Sequence, residues 1–213
     1  MVKQSKQSLE SEPRDRILDA AEIEFSAHGY GSAGMKAIAT RADVAQGLIH
    51  YYFSNKSGLY DAVVGRRATL ICFERQRLLN QVDVSSPDAL ERIFEAFFEP
   101  PLGAQGGGRV YAKIFASLAV GNDRDQELIR KYYDPTARIF IDRICAAVPD
   151  LGREGAAWAY SFALGSLIAI IGRDGRTERL IGTDLQAPAT PEFLVKKLTE
   201  FSIGGVRSLA SGT

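Results

Sequence analysis

Apolar residues between positions 14 and 28 recur at helical spacings, with Ile17, Leu18, Ala21, Ile23 and Phe25 and their neighbours three and four apart. Pro13 stands where a helix start tolerates it and Gly29 where left-handed backbone ends one, so a helix is predicted over 14–28. A short second helix is predicted over 35–41 with Ile38 and Ala39 inward, and a turn at Ala42 and Asp43 leads to a third over 45–53. Ser54, Asn55 and Ser57 supply capping groups for a longer helix running from Lys56 to about Leu79.

Ser86-Pro87-Asp88 starts a helix with Leu90, Ile93, Phe94, Phe97 and Phe98 on one side, ending at Pro100 and Pro101. A glycine-rich loop over 103–108 follows, then a helix over 109–120 marked by Val110, Ile114, Phe115 and Leu118. The pattern over 125–148 is helical, with Pro135 a kink or a boundary. Residues 174–190 read as a loop, and 191–209 as an amphipathic helix through Phe193, Leu194, Leu198, Phe201 and Val206. No alternation of apolar and polar residues is long enough for a strand, so the fold class is all-α, with about nine helices.

The run 155–172 is nearly free of charge and sits at the lower limit of about 17–20 apolar residues for a spanning helix. Tyr160, Ser161, Ser166 and its glycines favour a helix buried between protein surfaces, and no membrane partner is expected.

Charge narrows the search for function. Across 213 residues, 26 Lys and Arg balance 26 Asp and Glu, and no global field attracts a polyanion; any such binding must be local. Cys72 and Cys145 are single and far apart, and His28 and His50 are the only histidines. A zinc site needs about four clustered ligands, so no metal and no cofactor is expected. The polar start, residues 1–12, reads as a mobile tail without the apolar core of a signal peptide, and the cytoplasm is the expected location.

Two helices joined by a tight turn suggest a helix-turn-helix, whose second helix enters the major groove. At about 100° per residue, with Ile49 at the centre of the buried face, Ala45, Tyr52 and Phe53 fall within about 60° of it. Gly47, His50, Tyr51 and Ser54 face the opposite way, with Gln46 and Leu48 on the flanks. That outward face carries no charge, whereas a merely solvated face is more often rich in Lys and Glu. Gln46 is suited to bond adenine, Leu48 to pack on a thymine methyl, and His50 and Tyr51 to reach phosphates or base edges. Gly47 lets backbone approach closely, and Lys56 can neutralise a phosphate at the start of the next helix. On these features alone a plain helical hairpin remains open.

Longer stretches narrow the reading. Arg16 to Ala21, Phe25 to Tyr30, Ile38 to Ala42, Val44 and Gly47-Leu48-Ile49-His50-Tyr51-Tyr52-Phe53-Ser54-Asn55-Lys56 resemble the DNA-binding domain of the tetracycline-repressor (TetR/AcrR) family, continuously over about residues 13–72. The resemblance implies a DNA-binding domain over 13–75 and a helical effector-binding and dimerisation domain over 76–213. Carried over by position, it implies DNA contacts at Lys36, Gln46, Gly47, Leu48, His50, Tyr51, Tyr52 and Lys56. Three departures stand out: Ser32-Ala33-Gly34 lacks the usual hydroxyl cap, Asp43 replaces a common turn glycine, and Leu48 replaces a small hydroxyl residue.

The resemblance further implies a homodimer built from the helices over 156–171 and 193–209, reading a pseudo-palindromic double-stranded operator. It also implies an unidentified small-molecule effector that releases it. The aromatic set Phe94, Phe97, Phe98, Tyr111, Phe115, Tyr132, Tyr133 and Phe140 either lines the effector cavity or forms core. Arg109 and Lys113 either pair an anionic ligand or face solvent, and Arg66, Arg67, Arg75 and Arg77 read as a solvated helix face. The helix over 56–79 is the natural lever between the two domains. No acid–base groups converge, so an enzyme is not expected; the competing reading is a helical interaction module or small-molecule-binding protein without sequence-specific DNA binding.

Overall fold

The computed structural model describes residues 12–103, 106–172, 176–182 and 189–211, so the expected tail, Glu12 apart, lies outside the described residues. Eleven α-helices and no strand occur among them. They group into two compact units, one up to Val63 and one from Val64.

In the first unit, α1 (Pro13–Ser32) is interrupted where glycine was expected to stop it: Gly29 adopts φ 69°, ψ 169°, and the Ala33 N–H bonds back to the Gly29 carbonyl. Helices α2 (Met35–Ala42) and α3 (Gln46–Phe53) pack with α1 around Ile17, Leu18, Ala21, Phe25, Ile38, Ile49 and Phe53, all buried. Ile23 is 43% exposed, against expectation, because its position points away from the face shared by Ile17, Ala21 and Phe25. Asp43 takes the left-handed conformation that the α2–α3 turn demands, φ 53° and ψ 54°, a conformation asparagine and aspartate tolerate. Arg16 Nε donates to the Ala42 carbonyl at 3.2 Å, tying α1 to the end of α2.

Helix α4 (Lys56–Leu79) runs across the division between the units. The second unit continues through α5 (Ala89–Leu102), α6 (Gly108–Ala119), α7 (Asp123–Tyr132), α8 (Asp134–Ala147), a 3-10 turn at Pro149–Leu151, α9 (Gly152–Ile171), α10 (Arg176–Ile181) and α11 (Pro191–Ser211). Its core is aromatic: Phe97 meets Phe98, Phe140 and Tyr160 edge-on, with centroids 5.0, 5.3 and 5.2 Å apart.

Three expectations change. Helix α5 does not stop at Pro100 but carries both prolines in its last turn to Leu102. The expected loop over 174–190 contains α10, while residues 173–175 and 183–188 lie outside the described residues. Helix α9 is not enclosed on all sides. Ala156, Ala159, Ala163 and Leu167 are buried against its neighbours, but Trp158 and Phe162 are 54% and 55% exposed. Pro135 proves to be a boundary, in the first turn of α8.

Candidate nucleic-acid interface

Helix α3 has eight residues and buries only Ile49 and Phe53, so the rest of its side chains are available to a partner. Gln46, Gly47, His50 and Tyr51 are exposed and Leu48 is partly buried, as the angular argument predicts. Tyr51 stands well out, at 80% exposure, touching Tyr52 edge-on with centroids 5.3 Å apart. A Cβ built on Gly47 meets nothing within 4 Å, so nothing inside this unit requires glycine there. Lys36 is exposed on α2.

Two inward assignments are corrected. Tyr52, placed inward by angle, is 39% exposed, because it lies at the margin of the buried face. Ala45 is exposed because it is the residue before the helix, with φ −66° and ψ 138°, and the 100° step does not extend to it.

The exit from α3 is tightly built. His50 holds Ser54 twice: its carbonyl accepts the Ser54 N–H at 2.9 Å and its Nδ1–H donates to the Ser54 carbonyl at 3.0 Å. That leaves Nε2 as the ring nitrogen available to a base edge. Ser54 sits at φ 63° without being glycine, a conformation that costs about 1 kcal/mol or more and that these bonds help to hold. Asn55 then caps α4, its Oδ1 accepting the Gly58 N–H at 3.0 Å. Lys56 Nζ donates to the Gly31 carbonyl at 3.0 Å and lies 5.1 Å from the centroid of the Tyr30 ring. The ammonium is therefore positioned beside the end of α1, with two further donors for a phosphate.

Gly58 was not singled out by the sequence, yet a Cβ there would lie 2.2 Å from the Phe53 carbonyl oxygen. Backbone fixed at both ends of that contact cannot yield easily. Gly58→Ala is expected to destabilise the first unit by about 1–3 kcal/mol, the usual range for overpacking, read as a lowered urea midpoint.

The second unit holds a separate cavity of about 20 Å³, room for one water, lined by Ile71, Arg75, Pro101, Tyr111, Phe115 and Tyr133 among others. Of the eight aromatic candidates, Tyr111, Phe115 and Tyr133 line it. Phe94, Phe97, Phe98 and Phe140 are core at 0–1% exposure, and Tyr132 packs its ring against Gly65 instead. The Tyr111 and Tyr133 hydroxyls lie 2.5 Å apart, and burial pushes the Tyr133 phenol far up, so it stays neutral. Arg109 and Lys113 are exposed and line no part of this cavity.

The cation on the cavity wall is Arg75, only 3% exposed, which corrects its placement on a solvated face. Its position has a local cause. Pro101 has no N–H to give the Phe97 carbonyl four residues earlier, and Arg75 Nε donates to that carbonyl instead, at 2.9 Å. The guanidinium carbon lies 4.1 Å from the Phe97 ring centroid. Burial works against its charge, though arginine keeps its proton under all protein conditions. Sequence periodicity did not reveal it, because the missing donor lies on a different helix.

Helices α9 and α11 present a third surface, a groove of about 290 Å³ lined by Ala159, Phe162, Ala163, Phe201, Gly205 and Leu209 among others. Trp158 stacks on Phe162 at 5.7 Å, while Phe193 and Phe201 are 52% and 69% exposed. Cβ atoms built on Gly165, Gly204 and Gly205 meet nothing within 4 Å, so close approach by another helix is unobstructed there.

Comparison with known proteins places this geometry. Residues 17–63 match the model for bacterial regulatory proteins of the tetR family, and residues 93–205 match that for the tetracyclin repressor-like C-terminal domain. The chain is 38% identical over 89 residues to the HTH-type transcriptional activator FasR of Mycolicibacterium smegmatis, covering 41% of this chain and 40% of that protein. It is 32% identical over 123 residues to the HTH-type transcriptional repressor KstR of Mycobacterium tuberculosis, covering 55% of each. The matches thus span about half or less of these curated relatives. Among solved structures, a TetR-family transcriptional regulator from Bordetella parapertussis superposes with a TM-score of 0.69 at 16% identity, covering 93% of this chain and 97% of that one. The fatty acid degradation regulator FadR from Bacillus halodurans gives 0.62 at 19%, covering 94% and 99%. At such identities the structural likeness speaks for the fold.

Proposed function

The chain belongs to the TetR family of bacterial regulatory proteins, and from that premise we propose that it is a cytoplasmic transcriptional repressor, released from its operator by a small-molecule effector. The observation that carries the DNA-binding reading is the α3 surface: uncharged, exposed through Gln46, Gly47, His50 and Tyr51, and lacking a side chain at Gly47 for which the fold gives no reason. In this reading Gln46, Leu48, His50 and Tyr51 touch base edges, Gly47 admits close backbone approach, and Lys36, Tyr52 and Lys56 hold phosphates. The functional DNA-binding domain is taken as residues 13–75, with the remainder binding effector and partner. Helix α4 links the two roles covalently, carrying Lys56 in its first turn and Ile71 and Arg75 of the cavity wall further on.

One reading helix touches too few base pairs for useful specificity, and family members act as dimers. Here the two-fold is proposed to pair α9 and α11 with their symmetry mates in a four-helix bundle, covering Trp158, Phe162 and Phe201. The recognition helices would then meet successive major grooves about 34–36 Å apart over a pseudo-palindrome. Effector works by population shift: it binds better to an arrangement unsuited to that spacing, and a coupling of about 1–3 kcal/mol lowers operator affinity about 5–150-fold.

The test is gel retardation of the DNA flanking the protein's own gene. If Lys36 and Lys56 of each subunit neutralise one phosphate apiece, affinity falls on the order of 100-fold between about 50 and 200 mM salt. Absence of retardation, or retardation indifferent to salt, would instead favour an interaction module.

A further inference from the structure

The structure assigns Arg75 as the anion-binding residue of an effector site, and we propose that the effector is a monocarboxylic acid with an apolar body. The inference rests on the regulator reading above for the word effector, but the binding site stands on its own geometry.

Arg75 is a charged side chain at 3% exposure, and no carboxylate among the described residues pairs with it. Buried charges are normally paired, since an uncompensated one costs several kcal/mol. What compensates it here is incomplete. Nε serves the carbonyl orphaned by Pro101 and the Phe97 ring covers one face, which accounts for one of five guanidinium N–H groups. The structural duty of Arg75 therefore uses Nε, and the same residue lines the cavity with its other four N–H groups given no partner by that bond. A guanidinium fork matches a carboxylate in bidentate geometry.

The remaining wall selects what accompanies the anion. Ile71, Pro101, Ala112, Phe115 and Leu167 are apolar, and the Tyr111 and Tyr133 hydroxyls offer hydrogen bonds. One cation in an apolar wall balances one negative charge; a phosphate dianion would leave a charge uncompensated. At about 20 Å³ the cavity holds a water but no organic acid. An acid therefore fits only an enlarged arrangement, in which α4, carrying Ile71 and Arg75, shifts against α6 and α9. A ligand that fits one arrangement and not the other has the differential affinity that population shift requires.

Calorimetry on the purified, full-length protein tests this with octanoate, dodecanoate and 4-phenylbutyrate, each against its corresponding alcohol. At least one acid is expected to bind, and to bind roughly 10- to 100-fold more tightly than its alcohol, the worth of a hydrogen-bonded charge pair. Arg75→Gln keeps an N–H for the Phe97 carbonyl and should erase that preference. Ala112→Leu fills the cavity, leaves Arg75 in place and should abolish acid binding; it decides the matter if the glutamine variant folds poorly. The proposal is overturned if no acid binds, if acids and alcohols bind alike, or if Arg75→Gln retains the preference. Retardation assays run alongside separate the two readings: acid binding without any DNA binding sinks the regulator and spares the site. Acid binding that leaves operator retention unchanged sinks the effector role.

Discussion

Tyr51→Ala is expected to weaken specific operator binding by at least about 30-fold while leaving the fold and the state of association unchanged. The ring is 80% exposed and its one aromatic contact is the edge of Tyr52, so truncation opens no cavity and stability should change by less than about 0.5 kcal/mol. In the proposed complex the same ring supplies stacking area and a hydroxyl at the groove. Base or phosphate contacts of this kind contribute about 1–3 kcal/mol each, and the two-fold doubles the loss, giving a fall of 30-fold at least and on the order of 10⁴-fold at most. Thermal melting, gel filtration and retardation measured together decide it. Unchanged retardation would place the reading surface elsewhere, and a collapse in melting temperature would mean that Tyr51 supports the fold.

Phe162→Glu combined with Phe201→Glu should convert the proposed dimer to a monomer. Both side chains are more than half exposed in the single chain, on either wall of the α9–α11 groove, so the charges cost the isolated subunit little. Across a two-fold each substitution acts twice. Four aromatic burials are lost, about 1.5–3 kcal/mol apiece, and four like charges are brought together. That loss, about 6–12 kcal/mol before the repulsion is added, spans the difference of about 8 kcal/mol between a nanomolar and a millimolar dimer. Sedimentation should give one chain of 23.3 kDa rather than two, with helical circular dichroism retained and operator affinity lost with the paired half-sites. A variant that remains dimeric would put the interface on another face.

The helices were legible wherever local chemistry acts alone. Gly29 and Asp43 take the backbone conformations their residue types suggest, and the spacing around Ile49 correctly turned Gly47, His50 and Tyr51 outward, with Gln46 and Leu48 on the flanks. Failures came where one segment depends on another. Pro100 and Pro101 read as a stop, and α5 does end one residue past them, but the donor from α4 that serves the Phe97 carbonyl there was not foreseen. Four of eight aromatic candidates proved to be core and three line the cavity, because identical helical spacing serves both fates. Gly58 looked like an ordinary helix residue until the Phe53 carbonyl was found against it.

Sequence alone determined the helical class, the turn that separates α2 from α3, the uncharged outward face of α3 and the family whose pattern it shares. Those properties are set by backbone propensity and periodicity within some twenty residues, where the chain carries its own instructions. Tertiary structure decided which cation is buried, which aromatics enclose space, and which apolar surfaces are left open on α9 and α11. Each of these depends on what distant segments bring to the same place, and burial is a property of neighbours rather than of the residue itself.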